Sequence, residues 1–89
     1  MSTFSLIISS PDGREFDGMA EKITMRGANG DFAVLGGHAP FMTLVKPCEC
    51  VITAEDGTVR RAKSTGGIFQ VADDKATFLS GSFTYLDNE

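Results

Sequence analysis

His38, the cysteines Cys48 and Cys50, and the adjacent acids Glu55-Asp56 and Asp73-Asp74 are the side chains of this 89-residue sequence that could do chemistry. Nucleophilic catalysis needs a base beside the attacking hydroxyl or thiol, and one histidine limits the search to His38. No serine sits in a GxSxG elbow, and no spacing ties one to that imidazole. Paired carboxylates can act as acid and base, but both pairs lie in tight-turn sequences. There one acid caps the turn while its neighbour faces water. Cys48 and Cys50 in a strand would share a face about 7 Å apart, unsuited to an easy disulfide. With a single histidine they fall short of a four-ligand zinc site, and they read as two buried apolar thiols in a reducing compartment. Gly27-Ala28-Asn29-Gly30 and Gly36-Gly37 follow neither the GxxxxGK nor the GxGxxG spacing, so they make a weak phosphate cradle. No catalytic, metal-binding or cofactor-binding residue is assigned.

A protein partner is the chemistry left, and the stretch Met25 to Val45 offers a surface for one. It contains Gly30, Gly36 and Gly37, the acid Asp31, the histidine and an Ala39-Pro40 step. It reads as a long irregular excursion between two strands, with glycines allowing positive φ and Pro40 holding His38 and Ala39 extended. Phe32, Val34, Leu35, Phe41 and Met42 are more apolar residues than a short connection ordinarily shows to water. Contiguous apolar area on a loop held by a rigid scaffold commonly marks a binding site.

The scaffold that positions this stretch reads as all-β. No segment sustains apolar residues at three-and-four spacing, whereas period-two alternation recurs. Thr3 to Ser9 alternates, Pro11-Asp12-Gly13 turns it, and Arg14 to Asp17 is a short return strand ended by Gly18. Glu21 to Arg26 and Phe41 to Val45 flank the central excursion, and Pro47 marks a strand start or an edge. Glu49 to Ala54 and Thr58 to Lys63 enclose the hairpin turn Glu55-Asp56-Gly57, in which Asp-Gly suits positive φ angles. Arg60, Arg61 and Lys63 on its second strand read as a solvated sheet edge. Ile68 to Ala72, Ala76 to Ser80 and a short strand at Phe83 and Tyr85 complete about nine to ten short, mostly antiparallel strands in a flattened sandwich or barrel.

Composition narrows the partners. A chain of this size forms one domain that buries roughly 60–65 % of its unfolded surface, with little room for an enclosed active site. Twelve acids against eight basic residues give a net charge of −4, and the basic residues do not cluster enough for nucleic acid. No apolar run approaches the ~20 residues that span a bilayer, and no basic-then-apolar leader opens the chain, so membrane insertion is not expected.

Four blocks in order carry a family resemblance: SPDGREFDG at 10–18, the strand around Ile23, GDFAVLGGHAPFMTLVKP at 30–47, and STGGIFQVADDKATFL at 64–79. The chain resembles the amino-terminal β-sandwich domain of the ε subunit of F-type rotary ATP synthases, equivalent to the mitochondrial δ subunit. It departs from the pattern where Gly36 replaces a usual proline, near Arg26, at Cys48 and at Gln70. The glycine at 36 predicts a looser loop. Family members usually continue into two carboxy-terminal helices, so the resemblance makes 1–89 a single sandwich domain without that hairpin.

The resemblance implies a non-catalytic central-stalk part of a proton- or sodium-translocating synthase. It would link γ to the c-ring, sit peripherally on the cytoplasmic face of a bacterial membrane or on an organellar membrane, and carry no cofactor. Gly30, Asp31, Phe32 and His38 are expected at the c-ring and γ junction, and Ser10, Ala39, Pro40, Phe41, Met42 and Thr43 against γ. The alternative is a free-standing small-ligand-binding β module, which predicts a concave site near His38. An enzyme would need a pocket where His38 meets an acid.

Overall fold

The computed structural model describes residues 2–86. Among them are nine strands: β1 (Phe4–Ser10), β2 (Gly13–Gly27), β3 (Gly30–Leu35), β4 (Phe41–Val45), β5 (Cys48–Ala54), β6 (Val59–Ser64), β7 (Gly67–Ala72), β8 (Lys75–Ser80) and β9 (Phe83–Tyr85). The all-β expectation holds.

One strand organises the rest. The first half of β2 pairs with β1, which continues through β8 and β7 to β4. Its second half lies between β3 and β5, and β5 leads to β6 and β9. The hydrogen-bonded sheet therefore folds over on itself through β2 into two layers. All pairings are antiparallel except β1 with β8. A register shift between Ala20 and Lys22 leaves Glu21 as the extra residue where β2 changes layers, the bending role of a bulge. The short strand Arg14 to Asp17 and the strand Glu21 to Arg26 are thus one 15-residue strand. Gly18 does not end it: the residue pairs with Leu6, and the Phe16 ring covers the bare Cα.

Between the layers lie Phe4, Leu6 and Ile8 of β1, Ile23 of β2, Val34 of β3, Ile52 of β5, and Phe69 and Phe78 of β7 and β8, all fully buried. Each such side chain contributes about 1.5–3 kcal/mol by leaving water. The buried hydroxyls of Ser64 and Ser80 bond each other at 2.7 Å, so their burial leaves no polar group unpaired.

Two further readings are corrected. The stretch from Met25 to Val45 is not irregular throughout, because Gly30–Leu35 pairs with β2 from Gly27 back to Lys22 and buries Val34. Only the turn residues Ala28 and Asn29 and residues 36–40 lie outside strands. The solvated edge expected at Arg60, Arg61 and Lys63 is only partly free: β9 pairs with Ala62 to Ser64, the Leu86 amide donates to the Arg61 carbonyl, Arg61 pairs with Glu49 at 3.0 Å, and Arg60 lies 3.9 Å over the Tyr85 ring.

Candidate functional site

β3 pairs only with β2, β4 pairs with β7 and meets the end of β2 at Val45 and Gly27, and the Gly36–Pro40 segment joins β3 to β4. Four rings run outward there. Buried Phe69 lies 5.6 Å from Phe32, Phe32 meets Phe41 nearly edge-on at 5.4 Å, and Phe41 lies 5.6 Å from the His38 imidazole. The spacing suits the edge-to-face preference of aromatic pairs.

The joining segment is tied at each end. The His38 amide donates to the Leu35 carbonyl at 3.2 Å, and the Gly37 amide donates to Asp74 Oδ1 at 2.7 Å. Gly36 leaves room for the start of the chain, since a Cβ there would come within 2.5 Å of Ser2 Cβ. The glycine expected to loosen this loop instead lets another segment pack against it. His38 Nδ1 is 2.6 Å from the Ala39 carbonyl oxygen, which can only accept, so that nitrogen donates. The acid that reaches this loop, Asp74 of the β7–β8 turn, accepts a backbone amide rather than the imidazole.

Phe32, His38 and Phe41 are therefore brought together, and Gly30 and Asp31 are not. Asp31 is next to Phe32 in β3, but successive strand residues face opposite sides, so its side chain lies on the other face from the Phe32 ring. Gly30, at φ 120°, completes the β2–β3 turn. Asp31 pairs with Arg26 at 2.8 Å on the exposed outer face, which raises the Arg26 pKa through the hydrogen bond and the opposite charge. A surface pair of this kind adds little to folding, and a neighbour meets both charges together.

Ser10 is occupied within its own turn, donating to Glu15 at 2.6 Å and accepting the Asp12 amide at 3.1 Å. Ala39 and Pro40 are exposed, whereas Thr43 lies on the same side of β4 as buried Val45. Met42 faces outward and starts a feature that sequence reasoning missed. Leu44 stands opposite Ile68, and Ile68 opposite Leu79. Met42, Leu44, Ile68 and Leu79 are 64, 63, 45 and 55 % exposed and form an apolar strip over three adjacent strands. Gln70 and Thr77 border the strip without charge. The outer face of the other layer carries the ion pairs Arg26–Asp31 and Arg61–Glu49.

Residues 3–85 match the family described as the ATP synthase delta/epsilon chain β-sandwich domain. The chain belongs to this family. Among its delta/epsilon relatives, an ATP synthase epsilon chain of a Bradyrhizobium species is 34 % identical over 86 residues, 97 % of this chain and 63 % of its own length. That of Rhodopseudomonas palustris (strain TIE-1) is 36 % identical over 80 residues, 90 % of this chain and 58 % of its own. The chain thus spans about three fifths of the relatives it matches. The fold is also that of a chain in the Euglena gracilis mitochondrial ATP synthase, solved with its c-ring (TM-score 0.90, 20 % identity, 100 % of this chain and 57 % of that one). A chain of the Tetrahymena thermophila central stalk and c-ring matches with TM-score 0.73 at 15 % identity, over 89 % of this chain and 63 % of that one.

Within this delta/epsilon sandwich, surface clefts include one of about 640 Å³ bordered by Arg26, Asp31 and Phe32, one of about 600 Å³, and one of about 420 Å³ bordered by Leu35 and Gly36, and His38 lines none of the three. Cys48 borders the two larger ones. It is half-buried rather than buried, and its sulfur accepts the Arg26 amide at 3.4 Å. Only Cys50 is fully enclosed, and burial pushes its thiol pKa well up. Among the described residues, no three His, Cys, Asp or Glu side chains are grouped to hold a metal ion, and no helix is long and apolar enough to cross a membrane.

Proposed function

We propose that this chain is a non-catalytic rotor part of a proton- or sodium-translocating ATP synthase, joining γ to the c-ring so that ion flow drives ATP synthesis. It sits peripherally on the cytoplasmic face of a bacterial membrane, or on the corresponding organellar membrane. The observation that carries the reading is the apolar strip of Met42, Leu44, Ile68 and Leu79, open over three adjacent strands with uncharged Gln70 and Thr77 beside it. A contiguous exposed strip of this kind suits one large companion. Family membership supplies the companion's identity, and the Tetrahymena relative comes from a central stalk with its c-ring.

In this reading γ covers the strip and the adjoining Ala39–Thr43 segment, with Ser10 at the margin. The turn holding Gly30 and Asp31 meets the ring at the far end of β3, and Phe32 and His38 brace the side between. Torque passes without slip because the two layers share β2 and are cross-braced by rings. A free-standing ligand-binding module has less support, since His38 lines none of the three clefts.

Two substitutions test the assignment. Ile68→Glu places a charge at the centre of the strip and lowers association with γ from the same source by at least about tenfold, with folding little changed because the site is solvent-facing. Asp31→Arg sets two like charges at the ring end and weakens coupled ATP synthesis in reconstituted vesicles. Undiminished γ binding by Ile68→Glu removes the strip from the interface, and normal coupling in Asp31→Arg removes the turn.

A further inference from the structure

The turn between β7 and β8 carries residue types that its own hairpin does not require. Asp73 and Asp74 have φ of 53° and 59°. Positive φ at both central residues is the type I′ pattern, which glycine adopts with the least crowding. Glycine at either position would preserve the pairing of Ala72 with Lys75 and of Val71 with Ala76. A turn that only closed this hairpin would gain from glycine at both.

Glycine at 74 would, however, remove an acceptor. The Asp74 carboxylate takes the Gly37 amide at 2.7 Å, and the Asp74 carbonyl takes the Ser5 amide at 2.9 Å. One residue gathers three segments: its own turn, the start of β1 and the loop between β3 and β4. Gly37, at φ 81° with nothing within 4 Å of its would-be Cβ, has no side chain to hold it. Asp73 makes no comparable bond among the described residues.

We propose that Asp74 is a positioning residue for the interface. Its carboxylate fixes the Gly36–Pro40 loop, and with it the His38 and Phe41 rings, in the orientation that receives γ. An aspartate stands at the left-handed position 74, where glycine would be less crowded, because a side-chain oxygen is needed there. The positioning role rests on the reading of this loop as a γ contact, but the tether can be measured without a partner.

The test compares Asp73→Gly, Asp74→Gly and Asp74→Asn in this chain, by native-state hydrogen exchange of the Gly37 amide and by the dissociation rate from γ. Asp73→Gly leaves both unchanged. Asp74→Asn keeps an acceptor oxygen and retains most of the protection. Asp74→Gly speeds Gly37 exchange by about tenfold and γ dissociation several-fold, without a lower unfolding midpoint, since glycine suits the backbone. Unaltered Gly37 exchange in Asp74→Gly overturns the tether. Fast exchange with unaltered dissociation overturns the positioning role. Failure of the unsubstituted chain to bind γ overturns the loop-contact reading and the positioning role with it, while the exchange result still decides the tether.

Discussion

The Phe32 ring on β3 meets the Phe41 ring on β4 nearly edge-on, with centroids 5.4 Å apart, and so joins the two strands on one side of the sandwich. At its other end that side is closed by backbone bonds from the Ala28 amide to Leu44 and from the Lys46 amide to Arg26. Phe32→Ala, which also removes the contact with Phe69, is expected to cost about 2–3 kcal/mol. Phe41→Ala costs less, about 1 kcal/mol, because that ring is partly in water. The double variant recovers about 0.5–1.5 kcal/mol of coupling, measurable by urea unfolding at constant slope. Strict additivity would show that the two rings are near but do not brace one another.

Local chemistry made much of the scaffold legible. β4 was readable to the residue because Pro40 and Pro47 punctuate it, and the turns at Asp12-Gly13 and Asp56-Gly57 carry their own signals. β3 was hidden because Gly30, Gly36 and Gly37 surround an otherwise alternating segment. Gly18 looked like a stop although strand pairing carries β2 through it.

The site was less readable for the same physical reason. Which outward residues become neighbours depends on pairing β4 with β7 and β7 with β8, and no local pattern specifies that. A signal existed in strands that are apolar on both phases, such as Ile68 beside Phe69 and Leu79 beside Phe78, which implies that both faces are covered in use. The bond from Asp74 to Gly37 spans 37 positions and left no trace in spacing.

Asp56 links the β5–β6 turn to acid stability. The Thr58 amide donates to its carboxylate at 2.9 Å, and this bond holds the Asp56 pKa below the ordinary carboxylate value. A folded-state value that is depressed contributes stability at pH above the unfolded value of about 4, and that contribution is lost as pH falls through the lower folded value. Asp56→Asn keeps an acceptor but cannot titrate there. Its urea midpoint is therefore expected to fall less steeply below about pH 4 than that of the unsubstituted chain. Parallel acid limbs would mean that the bond does not favour the ionised form.

The two thiols are expected to separate cleanly in reactivity. Cys48 borders open clefts, whereas Cys50 is fully buried with its pKa raised by burial. A thiol must be both reachable and ionised to react. In the folded chain a disulfide reagent should label Cys48 at least about a hundredfold faster than Cys50, whose labelling waits for opening of the sheet. Cys48→Ser then leaves a folded chain that is almost inert to the reagent, and Cys50→Ser leaves one fast thiol. Equal rates would show that β5 opens readily.

Gly67 and Gly36 offer a contrast in what a single methyl group meets. At Gly67 a Cβ would be directed at the Leu79 carbonyl oxygen, 1.8 Å away, and that oxygen belongs to the backbone of the paired strand β8. Relief would require separating β7 from β8 at the pair Gly67 and Ser80, beside the buried serine contact. Gly36 meets Ser2, an exposed residue outside the strands, which can shift without parting a strand pair. Gly67→Ala is therefore expected to cost more than about 3 kcal/mol, lowering Tm by more than about 12 °C, while Gly36→Ala costs under about 1 kcal/mol. Thermal unfolding followed by circular dichroism measures both. Similar losses in the two variants would mean that the β7–β8 pair can part as easily as the chain start can shift, and the stiffness required of a rotor element would then be missing where the apolar strip is built.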